Sequence, residues 1–130
     1  MSSHVPSDCP LCPLNGLVDI IAECDDAYLV EALGSPIPDC FLIIPRDHIE
    51  EITDLPATWQ GAVSSMLQDV PWFTRDAALN LSFNVKFNAG QRLRHLHLWA
   101  IPRDHEDVCS PAYALGMASI LQKANTFVSA

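Results

Sequence analysis

Two stretches of this sequence carry side chains that can do more than fill a core. In RHLHLWAIPR, residues 94–103, His95 and His97 stand two apart in an apolar run, and Trp99 stands where a third histidine would fall. Neutral imidazole is a nucleophile, a proton acceptor and a metal ligand near pH 7. In CPLC, Cys9 and Cys12 have the two-residue gap that lets both thiolates reach one metal ion, a gap that a redox pair shares. A redox pair usually opens a helix after a strand, whereas Pro10 and Pro13 bracket these cysteines in a loop, so metal binding is the stronger reading, with inert surface thiols as a third.

A structural zinc wants four ligands, and Cys24, Cys40 and Cys109 are isolated, so any further ligands come from elsewhere in the chain. His48, just past an LIIP run, and His95 are the candidates on pattern, while His4 and His105 lie in polar surroundings. On its own, His48 is ambiguous, because a histidine after a strand is more often a surface or capping residue. On a strand, His95, His97 and Trp99 would share one face. Imidazoles in an apolar run need partners. Backbone carbonyls would serve a core histidine, and a same-face pair favours chemistry over that simpler account. Trp99 by itself suits packing, since its indole is a donor only.

The elements that must position these residues follow from hydrophobic patterning. Residues 17–33 read as two short strands broken at Asp25 and Asp26, residues 40–45 (CFLIIP) as a buried strand closed by Pro45, and residues 34–39 (GSPIPD) as a Pro-rich turn. From 57 to 80, Trp59, Val63, Met66, Leu67 and Val70 recur at helical spacing, which predicts a helix that Pro71 kinks or interrupts. Residues 81–87 (LSFNVKF) alternate as a half-buried strand, and residues 93–101 continue as another after the turn NAGQ. The tail, residues 111–127, is expected to be helical.

The 130 residues suit a single domain, residues 1–130, with no repeat or interdomain linker. With 49% hydrophobic and 18% charged residues the chain is expected to be globular and soluble, and no apolar run reaches the roughly 20 residues of a membrane span. The start of the chain has neither the basic residues nor the apolar stretch of a secretory signal, so a cytoplasmic location is expected. Seven basic against sixteen acidic residues give a net charge of −9, a poor match for nonspecific nucleic-acid binding.

Taken in order, CPLC, CFLIIPRDHIEEITDLP and NAGQRLRHLHLWAIPR resemble the three landmarks of histidine triad proteins: a Cys-x-x-Cys pair, a strand ending in Ile-Pro-basic-x-His, and a Gly-Gln turn leading into alternating histidines. The resemblance covers roughly residues 9–103. It implies an α+β fold, a main antiparallel sheet of about five strands with one long helix and a C-terminal helix, commonly paired into a homodimer. It implies a structural zinc on Cys9, Cys12, His48 and His95. It assigns His97 as the nucleophile that attacks the α-phosphate of a nucleotide or dinucleotide conjugate, a phosphoanhydride or phosphoramidate, and forms a nucleotidyl-histidine. Gln91 matches a position near the scissile bridge, and Gly90 belongs to the turn whose backbone amides could donate to phosphate oxygens.

The chain departs from that pattern at four places. Trp99 replaces the third histidine, where related transferases carry glutamine. Arg92 replaces the small hydroxyl residue after Gly-Gln and could grip phosphate. The ribose-binding acid is expected near Ala32, leaving the neighbouring Glu31, and Cys40 stands where many members carry a further histidine. Two functions follow: a hydrolase or transferase of nucleotide conjugates working through His97, or a noncatalytic zinc-stabilised module that binds nucleotides or a protein partner. They part at Trp99, whose indole either fills the phosphate position or leaves His97 facing an open cleft.

Overall fold

The computed structural model describes residues 8–16, 18–35 and 37–103. Five strands, β1 (Ala22–Glu23), β2 (Ala27–Glu31), β3 (Phe41–Pro45), β4 (Leu79–Phe83) and β5 (Leu98–Pro102), form one sheet in the order β1-β2-β3-β5-β4. Every pairing is antiparallel. The single α-helix among the described residues, α1 (Trp59–Leu67), crosses from β3 to the far edge.

Side chains alternate across a strand, so the central strands β2 and β3 serve two cores. Ala27 and Leu29 of β2, Phe41 and Ile43 of β3, and Leu98 and Ala100 of β5 pack against Ala62 and Met66 of α1 and Val70 beyond it. Tyr28 and Val30 of β2 and Ile44 of β3 face the other way, against Cys9, Leu11 and Cys12. The strands are therefore apolar on both faces, which is why β2 and β3 read as continuous hydrophobic runs rather than as alternating ones. Register places Val30 opposite Leu42 and Leu42 opposite Trp99, a row of apolar side chains across the face away from the helix.

Three expectations need correction. The helix expected over 57–80 ends at Leu67: Pro71 has no N–H to give the Leu67 carbonyl, and the chain closes with tighter turns from Asp69 to Met66 and from Val70 to Leu67 instead. The helix is thus nine residues long rather than a long one. Leu79 and Asn80 belong to β4, which runs 79–83 instead of 81–87, and Phe87 lies in a single 3₁₀ turn, Phe87–Ala89. The strand expected over 93–101 begins only at Leu98. Its neighbour β3 ends at Pro45, which lacks an amide, and the Pro45 carbonyl is taken by the His95 ring at 2.7 Å, so the ladder cannot extend past Leu98. The expected C-terminal helix, residues 111–127, lies outside the described residues.

Leu29 is fully buried between α1 and the central strands, so Leu29→Ala should cost about 3 kcal/mol in denaturant unfolding of the zinc-loaded protein. Leu14, 84% exposed, gives the control: Leu14→Ala should change stability by less than about 0.5 kcal/mol. Equal effects of the two substitutions would contradict this core.

Candidate metal centre and active-site cleft

Three segments bring four donor atoms together on the sheet face opposite α1. The loop before β1 supplies Cys9 and Cys12, the exit from β3 supplies His48, and the approach to β5 supplies His95. The ligand atoms all lie within 4.8 Å of one another. Cys12 Sγ is 3.2 Å from His48 Nδ1 and 3.5 Å from His95 Nδ1, and Cys9 Sγ is 3.6 Å from His95 Nδ1. Zinc at its usual distances to sulfur and nitrogen gives a tetrahedron whose S–N edges are about 3.5 Å, close to the three S–N separations here.

The second ring nitrogens are committed elsewhere, which fixes the direction of the first. His48 Nε2 lies 2.8 Å from Glu50 Oε2, and His95 Nε2–H donates to the Pro45 carbonyl at 2.7 Å. Each ring thereby presents its Nδ1 lone pair to the cysteines, the arrangement that outer carboxylates and carbonyls impose on zinc-binding histidines. Burial holds His95 down to about 4 against the opposing effect of the Pro45 carbonyl, so the ring is neutral. Burial first, and then the hydrogen bond and charge of Cys9, push Cys12 up to about 12 in the absence of metal. Two soft sulfurs and two imidazoles in a closed, largely buried set make a structural zinc site. Tyr28, whose buried hydroxyl has no partner among the described residues, packs in the same cluster.

His97 leaves that cluster in a different direction. Its Nδ1–H donates to the His95 carbonyl at 2.9 Å, so Nε2 carries the free lone pair. Burial lowers its pKa, opposed by that same hydrogen bond, and the ring is neutral at pH 7. It lines a cleft of about 600 Å³ whose walls also carry Glu31, Gly90, Arg92 and Trp99. The His97 and Trp99 ring centroids are 6.3 Å apart, and Trp99 lines the cleft in one row with Val30 and Leu42, on the sheet face that floors it. The Trp99 Nε1–H is buried without a partner among the described residues.

The sequence placed Cys9, Cys12, His48 and His95 in one cluster and His97, Trp99, Arg92, Gly90 and Glu31 in one cleft, and the structure brings each group together. Gln91 stands differently. It is 8% exposed, its Oε1 accepts the Lys86 amide at 2.6 Å, and its Nε2 donates to the carbonyls of Leu93 and Arg94. Its polar atoms brace the loop. The backbone amides of Gly90 and Gln91 are likewise engaged, with the Phe87 and Lys86 carbonyls. Gly90 itself is required, since its φ is +98° and a Cβ would meet Asn84 Nδ2 at 3.4 Å. Sequence reasoning missed Glu50 and the Pro45 carbonyl. The His-x-Glu spacing in RDHIEEI was the available signal for the first, and a backbone carbonyl leaves none.

The family model for the HIT domain matches residues 18–106. No curated protein matches the chain in sequence. Among solved structures, the fold is similar to that of a Zn-bound histidine triad family protein from Mycobacterium smegmatis (21% identity, 92% of this chain and 97% of that one, TM-score 0.63). It is also similar to a histidine triad nucleotide-binding protein from Candida albicans (19% identity, 94% and 96%, TM-score 0.60). A third likeness is to a HIT family hydrolase from Legionella pneumophila (21% identity, 81% and 99%, TM-score 0.59). At these identities the likeness shows the fold.

Zinc binding to the metal-free protein at pH 7 should release at least about one proton per ion, because the metal must displace it from the Cys12 thiol. Calorimetry in two buffers of different ionisation enthalpy reads that number. Cys12→Ser should lose zinc and lower the melting temperature together, and full zinc content with an unchanged melting temperature would remove the site.

Proposed function

The chain belongs to the HIT domain family, and from that premise we propose that it hydrolyses or transfers the nucleotidyl group of a nucleotide conjugate through a covalent intermediate on His97. The observation that carries the reading is the His97 ring: Nδ1–H is tied to the His95 carbonyl, and the bare Nε2 belongs to a side chain lining an open cleft. A neutral, oriented imidazole can attack phosphorus without first losing a proton.

In the first step Nε2 attacks the α-phosphorus, a P–N bond forms, and the bond to the leaving group breaks with its electron pair going to that group. In the second step water or an acceptor hydroxyl attacks the same phosphorus, the P–Nε2 bond breaks with its electron pair returning to Nε2, the attacking oxygen's proton passes to solvent, and His97 is neutral again as the nucleotide departs. Dividing one displacement into two lowers each barrier. The apolar floor of Val30, Leu42 and Trp99 suits a nucleoside, and Glu31 and Arg92 at its edges suit a ribose hydroxyl and a phosphate. Cys9, Cys12, His48 and His95 would hold the zinc, whose role is to fix the backbone from which His97 projects. The donor-only indole of Trp99 favours a second reading, a nucleotide-binding module without turnover.

His97→Ala should lower kcat on an adenylyl conjugate by at least about 10³-fold with zinc content unchanged, and an acid-labile adenylyl adduct should be trapped on the native protein. Protonation disables the nucleophile, and burial moves it to lower pH. The profile of kcat/KM should therefore stay level down to about pH 6.5 and fall only below it. Turnover that survives His97→Ala would end this reading.

Trp99→His tests the missing proton donor separately. It should raise turnover of adenosine 5′-phosphoramidate by about 10²- to 10⁴-fold, the usual worth of general acid–base help. No turnover in either the native protein or Trp99→His, across adenylyl and guanylyl conjugates, would leave the binding module as the function.

A further inference from the structure

The charge of this chain is unevenly placed. Of its seven Lys and Arg residues, against a net charge of −9, Lys86, Arg92 and Arg94 line a single hollow of about 480 Å³. Arg92 and Leu93 line both this hollow and the His97 cleft, and both side chains are exposed, so the two meet at a shared rim. Neither Arg92 nor Arg94 forms an ion pair with a described residue. Lys86 Nζ pairs with Glu51 at 2.5 Å, but both side chains are more than half exposed and water weakens the pair. The one carboxylate on the wall, Glu50, is held below the usual carboxylate range by its hydrogen bond from His48, with smaller help from Arg94 and Lys86. The Phe87 ring, 75% exposed, lies 5.3 Å from the Arg92 guanidinium carbon and leaves a face open.

The hollow is also rigidly made. Lys86 has φ +73°, a conformation that side chains rarely adopt, and it is held there by its amide on Gln91 Oε1 and its carbonyl on the amides of Ala89 and Gln91. Gln91 in turn holds the carbonyls of Leu93 and Arg94. The cations therefore stand on a braced loop, and less ordering is lost when they grip an anion.

We propose that this hollow is the subsite for an anionic leaving group, and that it selects phosphoanhydrides carrying further phosphates over phosphoramidates; this rests on the nucleotidyl-transfer reading of His97. With the α-phosphorus at His97 Nε2, the atoms beyond the scissile bond cross the Arg92 rim. Their phosphate oxygens meet Arg92, Arg94 and Lys86, and a terminal base can stack on Phe87. When the P–O bond of an anhydride breaks, its electron pair stays on a phosphate oxygen, and the two guanidiniums and the ammonium neutralise that charge. No proton is then needed from position 99. A phosphoramidate is the opposite case, because its amine nitrogen must gain a proton as the P–N bond breaks and Trp99 supplies none. The cationic hollow and the lost histidine, independent features of the chain, thus point to one substrate class.

The test compares kcat/KM for diadenosine triphosphate and for adenosine 5′-phosphoramidate in the native protein, Arg94→Gln, Arg94→Lys and Lys86→Gln, each checked for zinc content. The native protein should favour the anhydride, Arg94→Gln should cut that ratio about tenfold, and Arg94→Lys, which keeps the charge, should retain most of it. Lys86→Gln, further from the zinc ligands, should lower the ratio in the same direction. Turnover with a ratio that none of these variants moves overturns the subsite and leaves the His97 reading standing. If neither conjugate is turned over, calorimetric titration with inorganic tripolyphosphate separates the two. Binding that weakens about tenfold in Arg94→Gln sustains the anion subsite while the transfer reading fails, and binding indifferent to Arg94 and Lys86 overturns the subsite as well.

Discussion

Four donor atoms, two of them thiols that repel when ionised, are crowded within 4.8 Å on one face of the sheet, and the rest of that face depends on what reconciles them. Bare, the arrangement is unfavourable: burial and Cys9 push the Cys12 thiol far up, and the same burial strips His95 of its proton. A divalent cation inverts every one of these costs, since it needs thiolates and neutral imidazoles. The site stitches together segments that share little sheet ladder: the loop at residues 9–12, the turn after Pro45, and the bend before β5. Beyond the ligand set, Leu96 adds one backbone bond to Ile49 at 2.8 Å, the His95 ring holds the Pro45 carbonyl, and Leu11 packs with the cysteines on Tyr28, Val30 and Ile44.

The position of His97 follows from that stitching. A regular strand would have fixed its direction through the ladder, but pairing starts at Leu98. What fixes it instead is the Nδ1–H bond to the carbonyl of His95, whose own ring is pinned between Pro45 and the cysteines. The proposed nucleophile is thus oriented by the backbone of a residue in the metal cluster. Its direction relative to Trp99 survives the loss of the ladder, because both line the one cleft.

How much of this was legible in the sequence varies with the kind of information. The cysteine pair was readable because the Cys-x-x-Cys gap is a geometric requirement, whereas His48 and His95 completed the metal set only through the resemblance to histidine triad proteins. The grouping of His97 and Trp99 was readable because alternation persists in near-extended chain. The strand bounds around 79–83 and 98–102 were not, since they are set by the partner: Pro45 ends β3, and a side chain, His95, takes the last carbonyl. Alternation alone cannot report that. Likewise the apolar spacing from Trp59 to Val70 holds on both sides of the break at Leu67, because the turns that follow still pack Val70 into the core. Periodicity reports burial, and Pro71 decides the hydrogen bonds.

The cleft combines two environments that a nucleotide conjugate also combines. Its floor is apolar because β2, β3 and β5 bury both faces, and Trp99 continues the Val30–Leu42 row as a packing residue would. At Arg92 it meets a hollow that is cationic in an acidic chain, because the loop at residues 86–94 gathers three of the seven basic residues. Acidic surroundings repel anions at long range, so a phosphate bound in the proposed way would be held by near contacts with these cations, and salt would screen the long-range repulsion most. Trading a histidine for a tryptophan on the floor gives up a proton donor and gains apolar area. That exchange costs least where the departing group is stable as an anion beside fixed positive charge, and the loop braced by Gln91 and Lys86 supplies such charge next to His97.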